Sequence, residues 1–155
     1  MNFRIRGLSP EPFIGLYGLA DEELAARGAR RYIADACPGF PDRIEVRDVD
    51  KGEAVLLVNH LHQPEDTPYR ASHAIFVREG AESAYDAVNE IPTVLRVRPL
   101  SVRAFNSGHW MVDADLCDGQ DLGPLIQKFL SDAGVAYLQV HFAKRGCYAA
   151  LIERA

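Results

Sequence analysis

The sequence predicts an α+β fold in a single domain, residues 1–155, built on a largely antiparallel, strongly twisted sheet with few helices. Three observations predict it. Short segments alternating apolar and polar residues dominate the chain, one stretch alone keeps a sustained helical period, and short proline or glycine turns join most successive strand-like segments. A chain of 155 residues also buries enough of its surface to hold a core without staples.

Phe3 to Leu8 reads as a first strand stopped by Ser9, Pro10 and Pro12, since proline lacks a backbone donor and restricts its predecessor. DEELAARG, residues 21–28, predicts a short helix with Asp21 as N-cap, acids in its first turn and Gly28 as its stop. From Arg30 the period becomes two, with Arg30, Tyr32 and Ala34 on one face. After the turn CPGFPD, residues 37–42, RIEVRDV at 43–49 alternates again and predicts a half-exposed strand with Ile44 and Val46 inward.

Asp50 to Glu53 turns the chain through Gly52 into AVLLVNHLH. The apolar run Val55 to Val58 predicts a central strand covered on both sides, whose far end surfaces at Asn59 to His62. SHAIFVRE, residues 72–79, is its antiparallel return across a loop at 63–71. Residues 84–88 predict no more than a helical turn, and Pro92 opens a short helix near 92–97.

Residues 100–106 and 110–117 flank Ser107-Gly108-His109 as a hairpin, with Trp110, Val112, Ala114 and Leu116 on one face of the second strand. The main amphipathic helix, about 119–132, carries Leu122, Leu125, Ile126, Phe129 and Leu130 at helical spacing. Residues 135–142 and 147–154 close the chain as a hairpin around Ala143 to Gly146.

A net charge of −5 argues against a nucleic-acid partner, which asks for a dense basic face. No window reaches the ~18 apolar residues of a membrane span, and MNFRIRGLSPEPF lacks the apolar stretch of a signal peptide, so no membrane partner is expected. Cys37, Cys117 and Cys147 form no C-x-x-C pair, which fits reduced thiols in the cytoplasm.

Chemistry concentrates in NHLHQPEDTPYRASH, residues 59–73, which holds three of the five histidines. His60 and His62 lie two apart on one strand face, and His73 opens the partner strand. Three imidazoles suit zinc, so His60, His62 and His73 make a metal-dependent, hydrolase-like alternative. The spacing does not demand a metal. Gly52 and Glu65 stand at the wrong intervals for a cupin-like ligand set, and hydrogen bonds to Glu65, Asp66, Thr67 or Ser72 satisfy the same rings.

The favoured reading is a small-molecule binding protein or enzyme for an anionic ligand. Its pocket takes His62, His73 and His141 as candidate catalytic groups, because histidine alone titrates near neutrality unperturbed, and Tyr69, Arg70, Ser72 and Arg145 as ligand-binding groups. Tyr137, Gln139 and His141 share one strand face and line either a pocket or the wet side of a sheet. If His141 meets His62 or His73 in space, the pocket reading gains.

Cys147 follows Lys144-Arg145-Gly146, which makes it a candidate nucleophile with His141 as base, set against the plainer reading of a small core residue. DADLCDG, residues 113–119, fails as a calcium loop because Asp118 and Pro124 stand where glycine and glutamate are needed. A further alternative is a noncatalytic homodimeric interaction module joined through an edge strand or the face of 43–49. No motif identifies a cofactor.

EELAARGARR at 22–31, HQP at 62–64, PYRASHAIFVREGAE at 68–82 and HFAKRGCYAALIERA at 141–155 resemble a family of small bacterial proteins catalogued as domain of unknown function twelve-oh-three. The resemblance spans the chain and implies a single-domain bacterial cytoplasmic protein. It carries no activity, cofactor or catalytic residue with it.

Overall fold

The computed structural model describes all 155 residues. In chain order its first half comprises β1 (Phe3–Arg6), α1 (Glu11–Ile14), α2 (Asp21–Ala26), β2 (Arg30–Ile33), β3 (Pro41–Asp42), β4 (Arg47–Asp48), β5 (Ala54–Gln63) and β6 (Ala71–Arg78). The second half comprises β7 (Asp86–Val88), α3 (Thr93–Arg96), β8 (Pro99–Phe105), β9 (Met111–Asp118), α4 (Leu122–Leu130), β10 (Tyr137–Phe142) and β11 (Tyr148–Arg154). The class is α+β: two mostly antiparallel sheets with a few short helices.

The first sheet has strand order β7-β1-β11-β10-β8-β9 and the second β2-β5-β6-β3-β4. The first is covered by α4, whose Leu122, Leu125, Ile126, Phe129 and Leu130 turn inward beside Leu138, Val140 and Ile152. Each such side chain contributes roughly 1.5–3 kcal/mol on leaving water. The preceding turn fits closely at Gly119, where a Cβ would stand 2.0 Å from Leu95 O, so no larger residue enters without moving backbone.

The second sheet is buried on both faces around β5, as its continuous apolar run predicts. Leu56 and Val58 pack with Ile75, Val77, Phe13 and Leu24 on one side, and Val55 packs with Val49 and Ala34 on the other. β5 and β6 pair antiparallel, with His60 opposite His73. Both rings therefore leave the same face of the sheet.

Several expectations change: the one twisted sheet divides into two, and Ala20 rather than Asp21 stands at the N-cap of α2. Residues 43–46 form a turn rather than a strand, leaving only Arg47–Asp48 extended. Asp42 organises it: its buried carboxylate accepts from the N–H groups of Ile44 (3.1 Å), Glu45 (2.6 Å) and Arg78 (2.7 Å). Ile44 and Val46 are both buried, but by a turn in which Val46 adopts φ 50°, so a face of 43–49 for association does not exist as a strand.

Residues 86–88 form strand β7 along β1, not a helical turn. Tertiary pairing outweighs weak local preference there, and the Arg4–Asp86 ion pair at 2.8 Å fastens the two strands. The prolines after Ser9 also begin something as well as ending a strand. Pro12 sits in the first turn of α1, where its missing N–H costs nothing.

Candidate functional site

A cleft of about 710 Å³ opens between the two sheets. It exists because β3 pairs with β6 at one position only, Asp42 beside Phe76, which leaves the β6 edge from His73 to Ile75 uncovered. The turn between β10 and β11 and the segment Arg98–Pro99 supply the remaining polar wall. Four cations line the cleft, Arg43, Arg98, Lys144 and Arg145, against one carboxylate, Asp35.

Those cations are not equivalent. Arg98 is neutralised by Asp48, which takes both guanidinium ends at 2.6 and 2.8 Å. Lys144 and Arg145 are exposed and enter none of the ion pairs within the chain. Arg43 is only 2% exposed, and no carboxylate touches its guanidinium.

Arg43 donates from Nε to Tyr148 O (2.8 Å), from Nη1 to Pro41 O (2.6 Å) and from Nη2 to Cys147 Sγ (3.0 Å). Its planar group also lies over the Phe142 ring at 5.0 Å. Burial disfavours its charged form, and the neighbouring sulfur is the leading influence in the other direction. Three acceptors serve a guanidinium with five N–H donors, so two donors have no acceptor in the chain.

Beside the cleft runs a polar seam between the sheets. Gln139 Oε1 lies 3.0 Å from His62 Nδ1 and 3.2 Å from His141 Nε2, while its amide Nε2 donates to His62 O (2.9 Å). His141 Nδ1 meets Gly146 O at 2.9 Å. The His62 and His141 rings cross edge to face at 4.8 Å, and Tyr148 stacks on His62 at 5.9 Å.

Burial sets the charge state of this seam. It pushes His141 down to about 3, with Arg103, His62 and His73 adding repulsion and the Gly146 contact opposing, and His60 down to about 4, with His62 and Arg43 adding to it. It also lowers His62, against a smaller opposing effect of the Gln139 contact. At neutral pH burial keeps these rings uncharged, and a neutral His141 has one N–H, which it donates to either Gly146 O or Gln139 Oε1 but not to both.

The residues singled out in the sequence therefore separate. His73 and Arg145 line the cleft. His62 and His141 meet each other beside it, and the stripe Tyr137, Gln139, His141 is neither wet nor an open pocket wall: Gln139 is 4% exposed and His141 fully buried. His141 is not placed as a base for Cys147, since both its nitrogens face Gly146 O and Gln139 Oε1.

Tyr69 turns away, packing against Phe105 and Trp110 with its hydroxyl donating to Met111 O at 3.4 Å. Arg70 is exposed and closes its own loop by donating to Pro64 O, and Ser72 is exposed on the far face of β6. The 63–71 loop is thus pinned to the first sheet, and its tip contributes nothing to the cleft wall.

No three His, Cys, Asp or Glu side chains gather to hold one ion, His60, His62 and His73 included. The reasons are local. His60 wedges between Phe13 and Tyr148, His62 commits Nδ1 to Gln139, and His73 Nδ1 donates to Ala74 O at 2.9 Å.

Sequence reasoning missed Arg43 and Arg98. Arg43 read as the start of a half-exposed strand, and nothing around it signals that a turn carries it inward. Arg98 precedes Pro99, which marks an extended residue and not a cleft. Proximity of Cys147 to positive charge was legible, but the charge that touches it is Arg43 rather than its sequence neighbours.

A family model described as "Protein of unknown function (DUF1203)" matches residues 39–154. No curated protein and no solved structure matches the chain.

Proposed function

The chain belongs to the DUF1203 family, whose description assigns no chemistry, and from the cleft we propose that it binds a small anionic molecule between its two sheets, as a binding protein or an enzyme. The observation that carries this reading is Arg43, a buried guanidinium without a carboxylate at the wall of a cleft that also presents unpaired Lys144 and Arg145. A buried cation is costly unless compensated, and a carboxylate or phosphate accepted by its free donors supplies that compensation. Lys144 and Arg145, at the exposed turn, draw the anion in, and His73 offers a hydrogen bond from the β6 edge.

The cleft's size suits a ligand of metabolite dimensions. Its apolar walls, Phe40, Phe76 and Phe142 among them, fit a molecule with a carbon body and a charged end. A soluble role in the reducing cytoplasm accompanies this proposal. Three free cysteines and no helix long and apolar enough to cross a membrane are compatible with it.

The test is a thermal-melt titration at constant ionic strength with inorganic phosphate, succinate and citrate. A ligand at a hundred times its Kd stabilises by about 2.7 kcal/mol. At least one of these anions should raise the midpoint in the wild type, less so in Arg145→Ala and Lys144→Ala, and equally in the control Arg27→Ala. No shift with any anion, or identical shifts in all the variants, overturns the reading.

A further inference from the structure

We propose that Cys147 is the nucleophile of this cleft, attacking the electrophilic carbon of a small molecule that carries a carboxylate or phosphate. This rests on the anion reading above and goes beyond it by assigning the cleft a reactive atom.

Charge balance is the first argument. Arg43 has three partners: two are neutral carbonyl oxygens and the third is the Cys147 sulfur, 3.0 Å from Nη2. Among those contacts only the sulfur can become an anion by losing a proton, and the thiolate, not the thiol, is the attacking form. The Arg43 guanidinium donates an N–H to that sulfur, which sets the one ionisable partner of the buried cation beside it.

Position is the second. Cys147 is 7% exposed and lines the cleft, so the exposure it has is onto the space where an anion would sit. It directly follows Gly146, whose φ of 77° lets the chain turn tightly after Lys144 and Arg145. That turn places the two exposed cations and the sulfur on one wall.

The third argument points to a ligand independently of the cysteine. Arg43 is buried, lines the cleft, and keeps two N–H donors without an acceptor. They can hold the ligand's anionic group while the sulfur reaches an adjacent carbon. The other thiols lack such a setting: Cys37 is exposed, and Cys117 is held in its neutral form first by burial and then by the nearby Asp121, Asp115 and Asp118.

The step balances without an oxidant. The thiol releases its proton to solvent, the sulfur lone pair forms the C–S bond, and the leaving group departs with the electron pair of the bond it breaks.

The experiment uses two alkylating agents of like mechanism and different charge, iodoacetate and iodoacetamide, on the full native chain at pH 7.5 and low salt. Peptide mass spectrometry follows Cys147. The reference is the same residue in the urea-unfolded chain, where the iodoacetate-to-iodoacetamide rate ratio reflects an ordinary thiol. We expect that ratio to be at least tenfold higher in the native protein, and to fall toward the unfolded value in Arg145→Ala, an exposed substitution that leaves the fold intact.

If native Cys147 reacts with neither reagent while Cys37 is labelled, the nucleophile proposal is overturned and the anion site stands or falls on the phosphate, succinate and citrate titration. If it reacts with both at the unfolded ratio, the cleft does not select anions and both proposals are overturned.

Discussion

Arg43 Nη2 donates to Cys147 Sγ across 3.0 Å, linking residues 104 positions apart and joining the two sheets at the wall of the cleft. The same guanidinium holds Pro41 O on its own side and Tyr148 O on the other. It is a structural clamp, and two of its five N–H donors have no acceptor in the chain.

A clamp of this kind depends on shape as well as charge. Arg43→Lys keeps the positive charge but loses the planar fork, so one ammonium cannot reach all three acceptors and the contact with Phe142 weakens. The variant should lose about 1–3 kcal/mol, read from urea denaturation at pH 7. Unchanged stability would show that solvent already serves those acceptors.

Stability should also fall between pH 7 and pH 5, before carboxylates matter. His60 and His141 have folded values of about 4 and about 3, below the ordinary histidine value near 6.5. Above that ordinary value both states are neutral and the histidines make no pH-dependent contribution. As pH drops below it, the unfolded chain takes up protons that the folded chain refuses, so the unfolding free energy decreases. The loss should be on the order of 1–2 kcal/mol per ring by pH 5, allowing for partial solvation of His60. His141→Gln should flatten the dependence; a urea midpoint identical at pH 5 and pH 7 in the wild type would refute it.

Strand β9 bears on association. It is the edge of its sheet, and Trp110, Val112 and Leu116 are 50%, 50% and 70% exposed. An apolar edge invites strand pairing, but the Asp113 and Asp115 carboxylates accept from the N–H groups of Ala114 (2.8 Å) and Leu116 (2.9 Å) and place charge along it. Asp113→Ala combined with Asp115→Ala should increase self-association severalfold in light scattering at fixed concentration. If the double variant's concentration dependence matches the wild type, the carboxylates do not guard the edge.

Most strands were legible because a period of two needs no knowledge of partners: β5, β6, β8 and β10 fall within a few residues of where alternation and turns put them. The helix Leu122–Leu130 was legible from its apolar spacing. Residues 43–46 misled because a turn and a strand both place Ile44 and Val46 at inward positions, and only the Asp42 carboxylate, which accepts from Ile44 and Glu45 nearby and from Arg78 on β6, selects the turn.

Within the site the division is sharper. His73 and Arg145 line the cleft, and the His62 and His141 rings meet beside it, placements that residue type and strand face make legible. Tyr69 and Arg70 lie away from the cleft because a loop's side chains follow whatever surface it docks on, here Phe105, Trp110 and the loop's own backbone.

By itself the sequence determined the α+β class and the order of the main elements, because these follow from local period and turn chemistry. The tertiary structure alone decided that Arg43 is buried, that it meets Cys147, and that the β6 edge stays open beside them. Those facts depend on how two sheets face each other, and contacts across 104 residues leave no trace in local pattern.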